Sequence, residues 1–208
     1  MTPPVNVAVI YYSATGHIHR IAERLAQAAE KEDADVRLRR VRELAPREAI
    51  ESNEAWKAHV EATQYVEEAT PDDMAWADVA LFGSPTRYGN VASQLKQYLD
   101  TLGPLWMQGK LADKVYAGFT SSQTQHGGQE STLLVLYNTI HHFGGIVASP
   151  GYTDPSKFAD GNPYGVSHVS GPENADEPGE TEFTAADHLA HRAIAISRAL
   201  KAGGFGSS

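Results

Sequence analysis

The stretch Val7-Ala-Val-Ile-Tyr-Tyr-Ser-Ala-Thr-Gly-His-Ile18 constrains this chain more than any other. Its apolar half reads as a buried strand, and it runs without a spacer into a hydroxyl- and glycine-bearing turn that opens an amphipathic helix. Ser13 and Thr15 offer hydroxyls and Gly16 lets the backbone approach an anion. The free N–H groups of the helix's first turn, at His17 and Ile18, point to the same place, which is the layout of a phosphate cradle. The same hydroxyls could also form an ordinary N-cap, so the turn alone leaves both readings open.

The guest of such a cradle can be narrowed by what is missing. The turn has neither the lysine and spacing of a nucleotide-triphosphate loop nor the three glycines of the dinucleotide fingerprint, which disfavours ATP, GTP and a Rossmann-bound NAD. A mononucleotide remains, with FMN the leading candidate.

Strand and helix patterns alternate along the rest of the chain. Val5 to Tyr12 is followed by Ile18, Ile21, Ala22, Leu25, Ala26 and Ala29 at helical spacing, and then by a strand-like stretch from Val36 to Val41, which makes a βαβ unit. Val79 to Gly83 and Val115 to Phe119 are short continuous apolar runs, as expected of central strands covered on both faces. Helices are predicted over 91–102 and 132–142, a short strand at Ile146 and Val147, and a last helix striped by Leu189, Ala193, Ile196 and Leu200. About five such units predict an α/β fold with a doubly wound parallel sheet of five strands. Two segments exceed the repeat: Leu44 to Thr70, acidic and partly helical around Trp56, and Gly151 to Gly179, dense in turn residues and mostly loop. Both read as insertions in one domain spanning 1–202, with 203–208 a flexible tail.

Composition bounds the function. With 208 residues and 41% hydrophobic content the chain suits one sizeable core, and 26 acidic against 17 basic residues give a net charge of −9, which opposes nucleic-acid binding. No apolar run approaches the roughly 20 residues of a membrane span, and the start Met1-Thr-Pro-Pro has no basic region leading into an apolar core, so a cytoplasmic location is expected. The absence of cysteine excludes thiolate catalysis and cysteine-ligated metal centres, so redox chemistry here needs a bound organic cofactor or a metal on other ligands.

In an open parallel sheet, ligands bind beyond the carboxyl ends of the strands, and three loops here qualify together. Ser13 to Ile18 is the first. The second, Ser84-Pro-Thr-Arg-Tyr-Gly-Asn90, combines a rigid Pro85, an aromatic Tyr88 able to lie against a flat ring, and Gly89 for close backbone approach. Arg87 can place positive charge near the pyrimidine end of a flavin, or can serve a plain surface ion pair. The third, Ser121 to Glu130, is rich in hydroxyl, amide and glycine groups suited to a flavin's other side and its ribityl chain; Glu130 reads as a helix cap. Nine histidines form no H-E-x-x-H arrangement, and His188 with His191 could share a helix face without any carboxylate set at matching spacing, so no metal site is assigned. One of His141 and His142 can reach the cofactor pocket, and Trp106, after Gly103-Pro-Leu, reads as a loop aromatic near the site or as core.

Together, Tyr11 to Ile18, Pro85-Thr-Arg-Tyr-Gly-Asn90, Leu99-Asp with Leu105-Trp106, His126-Gly-Gly-Gln-Glu130, His141-His142 and Asn162-Pro-Tyr-Gly165 resemble the WrbA-type NAD(P)H:quinone oxidoreductases, a tetrameric branch of flavodoxin-like proteins. The resemblance covers nearly the whole chain. It implies a flavodoxin-like FMN-binding domain, with the phosphate held by Ser13, Ala14, Thr15, Gly16, His17 and Ile18. Contacts to the ring fall to Thr86, Arg87 and Tyr88, and further cofactor contacts to Pro85, Gly89, Asn90, Ser122, Gln123, Thr124, Gln125, His126, Gly127 and His142. Thr15 falls where members contact NAD and Trp106 where they line the substrate pocket. Position 15 is Thr where some members carry Tyr, position 88 is Tyr where Phe is common, and Gln125-His126 replaces small residues; these departures bear on nicotinamide and quinone preference.

The implied activity is two-electron reduction of quinones to hydroquinones, by ping-pong hydride transfer from NADH or NADPH through FMN, in a homotetramer. Protein groups mainly position the rings, with His142 as a proton donor or orienting group. The alternative from another class is a flavodoxin-like carrier that passes single electrons to protein partners.

Overall fold

A computed structural model describes residues 4–205 of the chain. Five parallel strands, β1 (Asn6–Tyr11), β2 (Asp35–Arg40), β3 (Val79–Pro85), β4 (Val115–Ser122) and β5 (Ile146–Val147), lie in the order β2-β1-β3-β4-β5. The helices are α1 (His17–Lys31), α2 (Arg47–Glu51), α3 (Glu54–Ala62), α4 (Pro71–Trp76), α5 (Ser93–Thr101), α6 (Gly103–Met107), α7 (Gln129–Phe143), α8 (Ser156–Asp160) and α9 (Glu180–Ala202). This is the doubly wound α/β sheet that the alternating pattern predicts.

Period-two alternation along each central strand sends side chains to two cores. Val7, Val9 and Tyr11 of β1 pack with Leu81 and Phe119 beneath α1 and α9, where Ala22, Leu25, Leu189 and Ala193 are buried. Ala8, Ile10 and Tyr12 pack with Phe82 and Tyr116 on the opposite face, beneath Met74, Leu95, Leu99, Leu136 and Ile140 of α4, α5 and α7. Each central strand is therefore apolar on both faces through its middle, and β3 and β4 turn polar only at their carboxyl ends. The edge strand β2 is not: its Arg37 and Arg39 both reach Asp73 Oδ1, at 3.2 Å each, and charge on an edge discourages pairing with another chain.

Three local expectations change. The 151–179 segment, expected to be mostly loop, holds α8 and a strand, β6 (Val166–Val169). β5 pairs with the start of β4, through Val115↔Ile146 and Tyr116↔Val147, whereas β6 pairs with its end, from Phe119↔Val166 to Ser122↔Val169. The fifth place in the sheet is thus filled by two short strands with an insertion between them, and a four-residue strand amid turn residues leaves little periodicity to detect. Trp106 lies on the short helix α6 and not in a loop. Gly203 to Phe205 close α9 by a turn, with Phe205 N–H donating to Leu200 O at 3.0 Å; residues 206–208 of the predicted tail, like Met1 to Pro3, lie outside the described residues.

The insertion between β5 and β6 is held by a buried ion pair. Lys157 Nζ donates to Asp160 Oδ2 and, at 2.8 Å, to Gly165 O, and neither charged side chain has any solvent exposure. Asp160 also accepts from the Ser167 and Asn162 N–H groups, at 3.3 Å each. Gly165 must be glycine, because a Cβ there would lie 2.2 Å from the carbonyl oxygen of Gly118 on β4. Removing one partner of such a pair strands a buried charge. Asp160→Ala is therefore expected to cost about 3–5 kcal/mol in urea unfolding, and the double replacement Lys157→Met with Asp160→Leu distinctly less; equal losses would refute the ion-pair account.

Candidate functional site

The strand order reverses at β1, whose neighbours β2 and β3 lie on opposite sides, and the carboxyl ends of β1, β3 and β4 open onto one cleft of about 530 Å³. Its position is the crevice where such sheets take ligands, and its size falls within the range of cofactor sites. Ser13, Ala14, Thr15, His17 and Ile18 line one part of it, Pro85, Thr86 and Arg87 a second, and Ser121, Ser122, Gln123, Thr124 and Gly127 a third. All three predicted loops meet there.

The first turn does not use its hydroxyls as an N-cap. Gly16, at φ 107°, is the residue before α1, and no side chain caps the helix. Ser13 Oγ instead accepts from the Gly16 N–H at 3.1 Å, closing the turn on itself. Thr15 Oγ1 accepts from Asn174 Nδ2 at 3.0 Å and sits 3.2 Å from His17 Nδ1. The first N–H groups of α1 are thereby left without a side-chain acceptor beside the cleft, as an anion site requires.

Imidazoles surround this turn. His17 is buried and stacks on His168, with ring centroids 5.4 Å apart, and its Nε2 is buried without a hydrogen-bond partner. His168 in turn lies 2.9 Å from Glu182 Oε1 and 2.7 Å from the Asp176 carbonyl. Burial pushes His17 below its ordinary pKa against the pull of the Glu177 carboxylate, and burial together with His19 and His17 pushes His59 down to about 4. At neutral pH His17 and His59 are uncharged, so an anion in this part of the cleft meets N–H dipoles and hydroxyls.

The second loop is a two-residue hairpin. Arg87 N–H donates to Asn90 O at 2.7 Å and Asn90 N–H to Arg87 O at 3.1 Å, and Tyr88 and Gly89 between them both have positive φ, 55° and 76°. This left-handed pair is the tight type I′ geometry, which turns the Tyr88 ring fully into solvent and away from the cleft wall. Tyr88 therefore does not form the ring-facing aromatic of the cleft in this chain. Gly89 and Asn90 also lie outside that wall. Thr86 is anchored by its Oγ1, which accepts from Thr132 Oγ1 at 2.8 Å and from the Gly89 N–H at 3.2 Å. Arg87 Nη1 donates to Thr86 O at 3.0 Å, and no carboxylate pairs with it among the described residues.

In the third loop the Thr124 carbonyl gathers Ser122 Oγ at 2.6 Å, the Gly127 N–H at 3.0 Å and Gln129 Nε2 at 3.1 Å. This tight loop presents Ser122, Gln123, Thr124 and Gly127 to the cleft and turns Gln125 and His126 to solvent. Glu130 sits in the first turn of α7, which no side chain caps, so the predicted capping bond is not made.

His142 and Trp106 also lie off the cleft. The His142 side chain is exposed, and its carbonyl accepts from Trp106 Nε1 at 2.8 Å. His188 and His191 do not face a common ligand: His188 Nε2 lies 3.0 Å from Thr153 Oγ1 and His191 Nδ1 lies 2.8 Å from Glu32 Oε1. Four wall residues escape sequence reasoning: Asn53 and Trp56 from the 44–70 insertion, and Ser170 and Asn174 from the loop after β6. Asn53 does carry a local signal, as the N-cap of α3 accepting from the Trp56 N–H at 3.0 Å, but nothing local shows that α3 reaches the cleft.

Comparison with known proteins agrees with this geometry. A family model described as NADPH-dependent FMN reductase matches residues 5–155. The NAD(P)H dehydrogenase (quinone) of Deinococcus radiodurans is 48% identical over 168 residues, covering 80% of this chain and 84% of that protein. Its namesake from Geotalea daltonii is 40% identical over 202 residues, covering 94% and 98%. Among solved structures, the flavodoxin, WrbA-like protein from Agrobacterium tumefaciens superposes with a TM-score of 0.66 at 25% identity, over 94% of this chain and 98% of that one. A flavodoxin from the domain Archaea shares the fold at 17% identity and a TM-score of 0.58. With a family model matched over most of its length and relatives of this similarity aligned over 80% and 94% of it, the chain belongs to the NADPH-dependent FMN reductase family.

Proposed function

We propose that this protein is an FMN-dependent NAD(P)H:quinone oxidoreductase that reduces quinones to hydroquinones by two electrons. The observation that carries this reading is the single cleft that joins an uncapped helix N-terminus and its closed Ser13–Gly16 turn to the two loops at Pro85 and Ser121. The donor set fits FMN: N–H groups and hydroxyls for a phosphate at one end, amide and hydroxyl groups for a ribityl chain, and one unpaired cation at the far end. When bound, FMN supplies a carrier that accepts two electrons from NAD(P)H and passes them to a quinone.

In this reading Ser13 to Ile18 hold the phosphate, Pro85, Thr86 and Arg87 border the ring, and Ser122, Gln123, Thr124 and Gly127 contact the remainder. Arg87 supplies positive charge at the ring edge where electron density gathers on reduction. One ring slot serves both substrates, so nucleotide and quinone occupy it in turn and the kinetics are ping-pong. Tyr88, Trp106 and His142, all exposed in one copy of the chain, act in a homotetramer, where a neighbouring copy can meet them. We place the enzyme, as a single flavodoxin-like domain, in the cytoplasm. Among the described residues no helix is long and apolar enough to cross a membrane.

Protein purified without added cofactor is expected to show a flavin visible spectrum, to bind FMN at least about tenfold more tightly than riboflavin, and to reduce benzoquinone with NADH or NADPH. Failure to bind FMN would sink the reading, whereas tight FMN without nucleotide-driven turnover would turn it into an electron carrier. His142→Ala is expected to leave FMN affinity intact and to lower kcat/KM for quinone; an unchanged value removes His142 from the site. Light scattering on the purified protein is expected to return the mass of four chains, and a monomer mass would contradict the assembly.

A further inference from the structure

A second cleft, of about 540 Å³, adjoins the first and shares Trp56 and Arg87 with it. It continues between α3, α5 and α7, where Tyr12, Gln94, Lys96 and Thr139 join its wall. A single carboxylate behind the wall sets its shape. Glu43 Oε2 accepts from Tyr12 OH at 2.9 Å and from Trp56 Nε1 at 3.1 Å, while Oε1 accepts from Gln94 Nε2 at 2.7 Å and from the Leu44 and Ala45 N–H groups at 2.9 Å each. Burial alone would raise the Glu43 pKa, but the Ala45 N–H, Gln94, Tyr12 and Trp56 outweigh it and hold the carboxyl below its usual range. Three wall side chains from distant segments are thus locked in one arrangement, and the charge that locks them is fully engaged.

The wall chemistry selects an anion with a flat ring. Both charged residues in the wall are cations, Arg87 and Lys96, on a chain whose net charge is −9. Among the described residues Lys96 Nζ has one partner, the exposed intrahelical Asp100 Oδ1 at 2.5 Å, and such pairs are worth little, so a phosphate can claim the ammonium. Trp56 offers an indole beside Tyr12, a surface suited to a purine. A neutral quinone would leave Lys96 unused.

We propose that this second cleft binds the adenosine-phosphate half of the reduced nicotinamide nucleotide, with the purine against Trp56 and the phosphates at Arg87 and Lys96, so that the nicotinamide end enters the first cleft. Glu43 is the positioning residue of this subsite. The proposal rests on the quinone-reductase reading and assigns the donor a place within it.

The test is titration calorimetry of ADP-ribose, which keeps the adenosine and both phosphates and lacks nicotinamide, into the FMN-loaded protein. Wild type is expected to bind one equivalent. Lys96→Glu and, independently, Thr139→Glu are expected to weaken that binding about tenfold and to raise KM for the nucleotide in parallel, with the effect on KM and not kcat. Lys96→Arg is expected to restore both, and FMN affinity and the KM for benzoquinone are expected to stay at wild-type values in all variants. ADP-ribose that does not bind, or binds equally to wild type and both Glu variants, while quinone reduction persists, overturns the subsite and leaves the enzyme reading standing. A wild-type protein that neither holds FMN nor oxidises the nucleotide overturns both.

Discussion

The structure depends on the parallel pairing of β1 with two neighbours at once. Each of its residues from Val7 to Tyr11 is registered against β2 on one side and β3 on the other, so its backbone groups are paired on both edges while the chain leaves toward opposite sides of the sheet. A crevice must open where the connections part. Everything of functional interest is arranged around that opening: the turn after β1, the hairpin after β3 and the loop after β4 are neighbours because their strands are. The N–H groups of α1 face it because a strand buried on both faces has to pass directly into its covering helix.

Around this fixed centre the insertions supply what the repeat cannot. The segment between β1's neighbours brings α3 over the cleft, where Trp56 adds an indole to the wall. The segment after β5 interrupts the sheet edge, and the Lys157–Asp160 pair with Gly165 brings the chain back beside β4, so that Ser170 donates to Ser122 O and Asn174 reaches Thr15. Both insertions therefore complete the site as well as cover the sheet. The cleft's polarity follows the same division: hydroxyls and the His17 imidazole line the end at Ser13, and the Arg87 guanidinium stands where the two clefts meet.

The element types were legible because their periodicities are strong. β1, β3 and β4 are continuous apolar runs, α1 and α9 carry clear stripes, and the turn at Ser13 announces itself by its residue types. β6 was not legible, since four residues amid Gly, Pro and Asp carry no period. Nor was the orientation of Tyr88: its residue type suits a flat ring, but a two-residue hairpin between Arg87 and Asn90 demands positive φ and swings the ring outward. The hydroxyls of Ser13 and Thr15 could not be assigned between capping and turn closure from the sequence, because that choice depends on Gly16 and on Asn174, far along the chain.

What the sequence by itself determined is therefore the alternation of β1 to β5 with their covering helices and the three loops at the carboxyl end of the sheet, since these follow from local patterns and from the geometry of parallel strands. Which side chains stand in the cleft was decided by tertiary structure alone. Trp56, Ser170 and Asn174 enter it through insertions whose local sequence shows only helix and loop. Tyr88, His126 and His142 leave it through turns and faces set by neighbouring segments. Burial and orientation are properties of the packed molecule, and no window of a few residues contains them.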